Sequence, residues 1–288
     1  MDLSAVIVNW NSGEHLMRLL DSLAPMAGEF KEICVVDNAS SDSSLEALEL
    51  HSEVQLLAHT ENQGFAGAAN EGISRTSANF LLLLNPDVEV IPESVRQLHR
   101  EIEGRPDAAI VCGSLRGPNG QSQNRFQIRP FPDWKNVLLD VLFFDELLGW
   151  LQAPPDQESS EAAASRDDPV PSRRELGMEQ PAAACWLLRK KAWEELGGFD
   201  TRFYPAWFED VDFCKRLQAT RWQVFYFPHL PFIHRGGISA TRLGYPAFVR
   251  IFYRNLLKYL KKHHPYSYPV LWLPVHVGMW TRRLLVRR

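Results

Sequence analysis

Four times between Leu3 and Ile102 a short apolar run is followed by a polar break and then by apolar residues at helical spacing. That alternation restricts the chain to a sheet covered by helices, because each strand and each amphipathic helix must bury its apolar side against the other. Leu3 to Val8 is β-branched and apolar, Asn9-Trp10-Asn11-Ser12-Gly13 interrupts it, and Leu16, Leu19, Leu20 and Leu23 then share one helical face. The unit recurs as Ile33 to Val36 before Ser43 to Leu50, Val54 to Leu57 before Ala66 to Ser74, and Phe80 to Leu84 before a helix with Val95, Leu98 and Ile102 inward. Strands joined through helices run parallel. Ligands of such α/β sheets sit at the carboxyl ends of the strands, where helix N-termini present N–H groups.

The second half is less regular. Residues 152–181 are rich in Pro, Ala, Ser, Glu and Asp, and with so few large apolar side chains the segment is expected to be a mobile loop. Beyond it, Ala182 to Leu188 reads as a strand, Lys190 to Leu196 as a short helix closed by Gly197 and Gly198, and Trp222 to Phe227 as another strand. A last helix is expected from about Pro246 to Lys262. The stretch Tyr268 to Trp280 is apolar and aromatic but carries Pro269 and Pro274. It is too short and too interrupted for a bilayer span of about 20 residues. Flanked by Lys258, Lys261, Lys262, Arg282, Arg283, Arg287 and Arg288, it suits a membrane interface.

A formal net charge of −4 gives no reason to expect nucleic-acid binding. Cys34, Cys112, Cys185 and Cys214 form no CxxC pair, so neither a zinc site nor a disulfide framework is suggested. The chain enters its first apolar run directly after Met-Asp, without the pattern of a secretory signal. The expected location is the cytosol, with peripheral contact at the inner, cytoplasmic face of a membrane.

Five segments carry residue types that can do chemistry. Asn85-Pro86-Asp87 follows the strand Phe80 to Leu84, and a carboxylate there can hold Mg²⁺ or Mn²⁺; the same tripeptide is also a strand-stopping turn. Asp37, at the end of Val35-Val36, can accept the ring N–H of a pyrimidine, or else it, Ser40 or Asp42 caps the next helix. Asn62-Gln63-Gly64-Phe65-Ala66-Gly67-Ala68-Ala69-Asn70 lets backbone approach an anionic ligand, though its glycine spacing fits neither a dinucleotide fingerprint nor a Walker loop. In Trp207-Phe208-Glu209-Asp210-Val211-Asp212, apolar surroundings suit Asp210 to general-base work, while Asp212 is expected to pair with Lys215 or Arg216 on the surface. His234 precedes two glycines and can ligate a metal, and Arg235 beside it can contact a diphosphate.

Taken together and in this order, Val6 to Asn11, Val35 to Ser40, Asn62 to Ala66, Asn85 to Asp87, Gly197-Gly198-Phe199-Asp200 and Phe208 to Asp212 resemble family 2 of the inverting glycosyltransferases, in its rhamnosyltransferase-like branch. The likeness covers about residues 2–240. It implies the GT-A fold, a Rossmann-like, mostly parallel sheet flanked by helices, here with a C-terminal helical extension. Residues 1–115 would bind the nucleotide sugar, 116–240 the acceptor, and 241–288 would form the extension. The implied roles are donor binding by Asn9, Asn11, Asp37, Asn62, Gly64, Asn70, Asn85 and Arg235, metal binding by Asp87 and His234, catalysis by Asp210 as base, and acceptor binding by Trp186 and Glu209. Asn85 stands where many members carry the first Asp of an Asp-x-Asp metal motif. The implied cofactor is Mg²⁺ or Mn²⁺. The implied reaction moves a sugar, rhamnose from dTDP-rhamnose first among the options, from a nucleotide diphosphate donor to a hydroxyl of a cell-surface glycan or its polyprenyl-linked precursor. Hexosyl or N-acetylhexosaminyl transfer from a UDP donor, and sugar-nucleotide binding without turnover, are the alternatives.

Overall fold

The computed structural model describes residues 1–142, 174–175 and 179–285. The chain divides into two compact units, Met1–Phe131 with Arg173–Arg242 and Pro132–Ser172 with Leu243–Arg288. In the first unit β1 (Leu3–Asn9), β2 (Ile33–Asp37), β3 (Val54–Ala58) and β4 (Phe80–Leu84) are parallel and ordered β3-β2-β1-β4. β1 is buried along its whole length. On one face α1 (Glu14–Leu23) packs Leu16, Leu19, Leu20 and Leu23 into the cluster that holds Leu3, Ala5 and Ile7. On the other, α2 (Gly64–Arg75) comes so close that a Cβ at Gly72 would lie 2.7 Å from Val6 and 2.8 Å from Val36. The segment Ser43–Leu50 is a 3₁₀ helix capped by Asp42, whose carboxylate accepts the Ser44 N–H at 3.1 Å.

Beyond β4 the chain runs through β5 (Val88–Glu89), α3 (Pro92–Glu103), β6 (Ala108–Arg116), α4 (Asn124–Gln127), β7 (Ile128–Pro130), α5 (Trp134–Leu142), β8 (Arg174–Glu175), β9 (Glu179–Pro181), β10 (Cys185–Arg189), α6 (Lys190–Glu195), α7 (Glu209–Leu217), β11 (Gln223–His234), α8 (Ile238–Leu243), α9 (Tyr245–His263) and α10 (Tyr268–Leu285). The sheet continues as β4-β10-β6-β11-β5 and is mixed there. β10 is antiparallel to both β4 and β6, whereas β6 and β11 are parallel to each other. One edge of the sheet therefore collects the carboxyl ends of β1, β2, β4, β6 and β11 together with the residues that lead into β10. The strand expected to end at Phe227 continues to His234, with a register shift between Phe227 and Pro231. Gly113 makes room for that bulge, since a Cβ there would lie 2.1 Å from the Leu230 carbonyl.

The expected loop at 152–181 lies outside the described residues except for two short strands; β8 pairs with β11, and β9 pairs with β7. In the second unit the Tyr268 stretch is a continuous helix, contrary to the expectation that its prolines break it. Pro269 falls in the first turn, where its missing N–H has no helical partner to lose, and only Pro274 lies inside. Leu271 and Val275 are buried, and Gly278 lets α10 approach Val141 of α5. Among the described residues no helix is long and apolar enough to cross a membrane.

Two contacts tie α2 to the segment that follows α6. The Asn70 amide donates to the Phe199 carbonyl at 2.8 Å and accepts the Phe199 N–H at 2.9 Å. At the N-terminus of α2 the Phe65 N–H donates to the Pro205 carbonyl at 2.7 Å, and Gly64, with φ +75°, would put a Cβ 2.9 Å from the Tyr204 ring and 3.0 Å from that carbonyl. Asn70→Ala removes both bonds to Phe199 and leaves its backbone groups without partners, which should lower stability by about 2 kcal/mol. Urea denaturation checks this, and an unchanged midpoint would show that the brace contributes nothing.

Candidate functional site

The loops after β1 and β2 hold each other. Asn9 is fully buried, and its amide donates to Asp37 Oδ1 at 2.8 Å, Ser40 Oγ at 3.1 Å and Ser44 Oγ at 2.9 Å. Asp37 also accepts the Ser40 N–H at 3.0 Å and the Ser40 hydroxyl at 2.6 Å. Asn11 sits at φ 48° and accepts the N–H groups of Ser41 and Asp42 at 2.7 and 3.2 Å. Asn62 accepts from Gly64 N at 2.7 Å and from the Asn38 amide at 3.0 Å, so it joins the start of α2 to the loop after β2. Of the asparagines expected to contact the donor, Asn9 is fully buried, and the amide of Asn70 is engaged at both ends with Phe199. Both act by fixing the loops.

Asp87 and His234, far apart in the chain, are brought together because β5 pairs antiparallel with the end of β11, Val88 opposite His234 and Glu89 opposite Ile233. The Arg235 N–H donates to the Asp87 carbonyl at 3.0 Å. Across this pairing Asp87 Oδ2 lies 3.5 Å from His234 Nε2, both side chains being buried. Burial holds the His234 pKa below its ordinary value against the opposing pull of Asp87. Asp87 Oδ1 is buried without a hydrogen-bond partner. An orphaned carboxylate oxygen beside an imidazole nitrogen is a donor set that fits Mg²⁺ or Mn²⁺, which take few protein ligands and complete their shell with phosphate and water. Among the described residues no third His, Cys, Asp or Glu completes a cluster with them.

Asp210 reaches the same edge through the residues before β10. The Ala183 N–H donates to Asp210 Oδ2 at 3.2 Å, and the carbonyl of the next residue, Ala184, accepts the Asn85 N–H at 2.9 Å. Asp210 Oδ1 accepts from the Val211 N–H at 2.8 Å, and Arg129 stands 3.9 Å from Oδ2. The residues that lead into α7 are held unusually: Trp207 and Phe208 both have left-handed backbones, at φ 70° and 78°, a strained arrangement of the kind that clusters at functional sites. Glu209 is buried, with Oε2 lacking a partner. Its pKa is pushed well above the ordinary carboxylate range, first by burial and then by the charge of Asp210. Asp212 is fully buried and pairs with Arg216 at 2.8 Å, so the expected surface pair is an interior one.

The structure also places Trp186, for which core and acceptor cleft are equal expectations, and Arg235. Trp186 is fully buried against Phe199 and Phe213, with ring centroids 6.2 and 6.3 Å away, and belongs to the core. Arg235 holds its Nε on Glu89 at 2.7 Å. Residues that sequence reading passed over join the site instead. The Phe126 ring stacks on His234 at 5.2 Å and 16°, and Arg129 lies over the other end of that contact, 5.8 Å from the Phe126 centroid. Gln123 touches His234 twice. Arg242 lies 3.3 Å from Asp42, which also accepts the Gly13 N–H. His15 feels Asp87, Arg235 and Arg242, although burial is the main cause of its lowered pKa. Periodicity around residues 123–129 is absent, and no sequence signal singles these side chains out.

Comparison with known proteins places this geometry. The profile of Glycosyl transferase family 2 matches residues 4–163. The chain is 26% identical over 292 aligned residues to the N-acetylglucosaminyl-diphospho-decaprenol L-rhamnosyltransferase of Mycobacterium tuberculosis, covering 96% of this chain and 86% of the relative. It is 25% identical over 258 residues to the low-salt glycan biosynthesis hexosyltransferase Agl10 of Haloferax volcanii, with 88% and 74% covered. Among solved structures, mannosyltransferase PcManGT from Pyrobaculum calidifontis, in complex with GDP-Man and Mn²⁺, aligns with a TM-score of 0.58 at 14% identity over 98% of this chain and 72% of that one. TarS of S. aureus in complex with UDP-GlcNAc aligns with a TM-score of 0.53 at 16% identity, over 90% and 67%. These structural likenesses bear out the GT-A arrangement of a mostly parallel sheet flanked by helices, with C-terminal helices added. The matched profile spans more than half of the 288 residues, and the chain belongs to glycosyltransferase family 2.

Proposed function

We propose that this enzyme transfers rhamnose from dTDP-rhamnose, with inversion, to a hydroxyl of a polyprenyl diphosphate-linked glycan precursor. The observation that carries the reading is the approach of Asp210 to the Asp87 and His234 pair through the adjacent residues Ala183 and Ala184. The relative aligned over nearly the whole chain supports the sugar and the acceptor class, since its name specifies an L-rhamnosyl transfer to a decaprenol-linked acceptor.

Asp210 takes the proton of the attacking hydroxyl as its oxygen bonds to the anomeric carbon on the face opposite the leaving nucleoside diphosphate. Two backbone N–H groups fix that carboxylate, and the Arg129 guanidinium stands 3.9 Å from it. Glu209, holding its own proton beside it, donates a hydrogen bond to the acceptor. Asp37, held by Asn9 and Ser40, faces the nucleobase, and the N-terminal turn of α2 with Asn62, Gly64 and Asn85 lines the donor's path. Asp87 and His234 would hold a divalent cation, and the chemistry it would supply is neutralisation of charge on the diphosphate.

We assign the exposed stripe Tyr266, Val270, Leu273, Val277 and Trp280 to peripheral contact with an anionic membrane. The spacing of three and four residues keeps Val270, Leu273, Val277 and Trp280 on one side of α10, with Tyr266 in the turn before it, and residues 243–288 contain nine Lys or Arg and no Asp or Glu, in a chain of net charge −4. Such contact would bring the enzyme to a lipid-linked acceptor.

A donor screen with dTDP-rhamnose, UDP-hexoses, UDP-N-acetylhexosamines and GDP-sugars, with and without Mn²⁺, should release nucleoside diphosphate fastest from dTDP-rhamnose. Asp210→Asn should lower kcat by about 10²- to 10⁴-fold while donor Kd stays within about twofold. Faster release from a UDP donor would replace the sugar, and a variant retaining more than a tenth of kcat would remove Asp210 as base.

Glu209 also ties stability to pH. Its folded-state pKa is raised, so its contribution is fully present below the unfolded value of 4.5 and is lost as pH climbs toward the folded value. Relative to the parent, Glu209→Gln should gain stability as pH rises above the unfolded value of 4.5, read from unfolding free energies. A difference that does not vary with pH would mean that Glu209 ionises like a surface carboxylate.

For the membrane contact, flotation with vesicles containing phosphatidylglycerol should carry the enzyme upward. Leu273→Gln with Trp280→Gln should reduce vesicle binding by about tenfold or more. Equal flotation of both proteins would reject the stripe as the contact.

A further inference from the structure

Gln123 meets His234 at two points whose chemistry leaves one arrangement. Its Nε2 donates to the His234 carbonyl at 2.9 Å, and its Oε1 lies 2.6 Å from His234 Nδ1. The carbonyl can only accept, so the NH₂ end of Gln123 must face it and the oxygen must face the ring. Nδ1 must then carry the proton. In the neutral imidazole the remaining nitrogen, Nε2, has its lone pair exposed in the plane of the ring. That lone pair points toward Asp87 Oδ2 at 3.5 Å, too long for a hydrogen bond. Nε2 and Asp87 Oδ2 thus face each other in a buried place, where a cation between them would take both as ligands.

Gln123 is itself immobilised. Its N–H donates to the Leu115 carbonyl at 3.0 Å at the end of β6, and its carbonyl accepts the N–H groups of Phe126 and Gln127 at 3.0 and 2.9 Å. Phe126, one turn on, covers a face of the His234 ring. The imidazole is held in plane by stacking and in rotation by the amide.

We infer that Gln123 is a positioning residue that locks His234 in its Nδ1–H tautomer and so presents Nε2, with Asp87, to a divalent cation. This rests on the reading of Asp87 and His234 as the cation-holding pair. Outer partners of this kind typically change metal affinity 10- to 100-fold when removed.

The test uses the full chain with ¹⁵N-labelled histidine, the His234 signals being those missing from His234→Asn. Without metal, two-bond ¹H–¹⁵N spectra should show the Nδ1–H form in the parent and in Gln123→Glu, which keeps an acceptor opposite Nδ1, and a shift toward the Nε2–H form in Gln123→Leu. Titration with Mn²⁺ alone, followed by the electron paramagnetic resonance of free ion, should give Gln123→Leu a Kd about 10- to 100-fold weaker than the parent and Gln123→Glu one within a few-fold. An Nε2–H parent, or a Gln123→Leu protein with unchanged tautomer and Mn²⁺ affinity, overturns the inference. A parent in the Nδ1–H form that binds no Mn²⁺, matched by Asp87→Asn, upholds the lock and overturns the cation-holding reading instead.

Discussion

The strand Cys185–Arg189 lies antiparallel between Phe80–Leu84 and Ala108–Arg116, and the site depends on that insertion. A parallel strand would deliver its carboxyl end to the ligand edge; a reversed one delivers the residues that precede it. Ala183 and Ala184 therefore arrive beside Asn85, and their backbone groups are left to bond Asp210 on one side and the turn after β4 on the other. Small side chains at both positions suit a place where backbone must serve two partners. The same ladder carries Trp186 to the interior, facing Phe199 and Phe213, because side chains of a buried strand have no solvent face to use.

Around this insertion the polar residues that look most like ligand contacts are largely structural braces. Asn9, Asn11, Asn38, Asn62 and Asn70 each bond a backbone or side-chain group of a different loop. Loops that converge at strand ends carry N–H and C=O groups no strand or helix satisfies, and each one buried without a partner costs about 1–3 kcal/mol. An asparagine offers donor and acceptor together, so it can close two loops at once. The density of asparagine after the strands records the need to hold the loops rigid, and only indirectly the presence of a ligand.

This separates what was legible in the sequence from what was not. Apolar periodicity identified β1 to β4 with their intervening helices, since burial on both faces of a parallel sheet writes itself into unbroken apolar runs such as Phe80 to Leu84. The pairing of Asp87 with His234 could be anticipated from resemblance alone; its physical cause, a two-residue strand meeting the end of a bulged one, has no local signature. Gln123, Phe126 and Arg129 were invisible because their roles come from contacts with residues roughly a hundred positions away, made from a short irregular segment. Pro274 misled for the opposite reason: a local rule about helix breaking yielded to packing of Leu271 and Val275 on the same helix.

Glu209 and Asp210 show how neighbours of one type are given different tasks. Two adjacent carboxyls in a buried setting cannot both hold full charge cheaply, since the desolvation of each is compounded by repulsion from the other. The two meet different surroundings. Asp210 receives the N–H groups of Ala183 and Val211 and the nearby Arg129 guanidinium, whereas Glu209 is left with an oxygen that meets no donor. Burial and then the neighbouring Asp210 raise the Glu209 pKa, which favours the neutral form of that carboxyl. The left-handed backbone at Trp207 and Phe208 directly precedes the two side chains that meet these different surroundings.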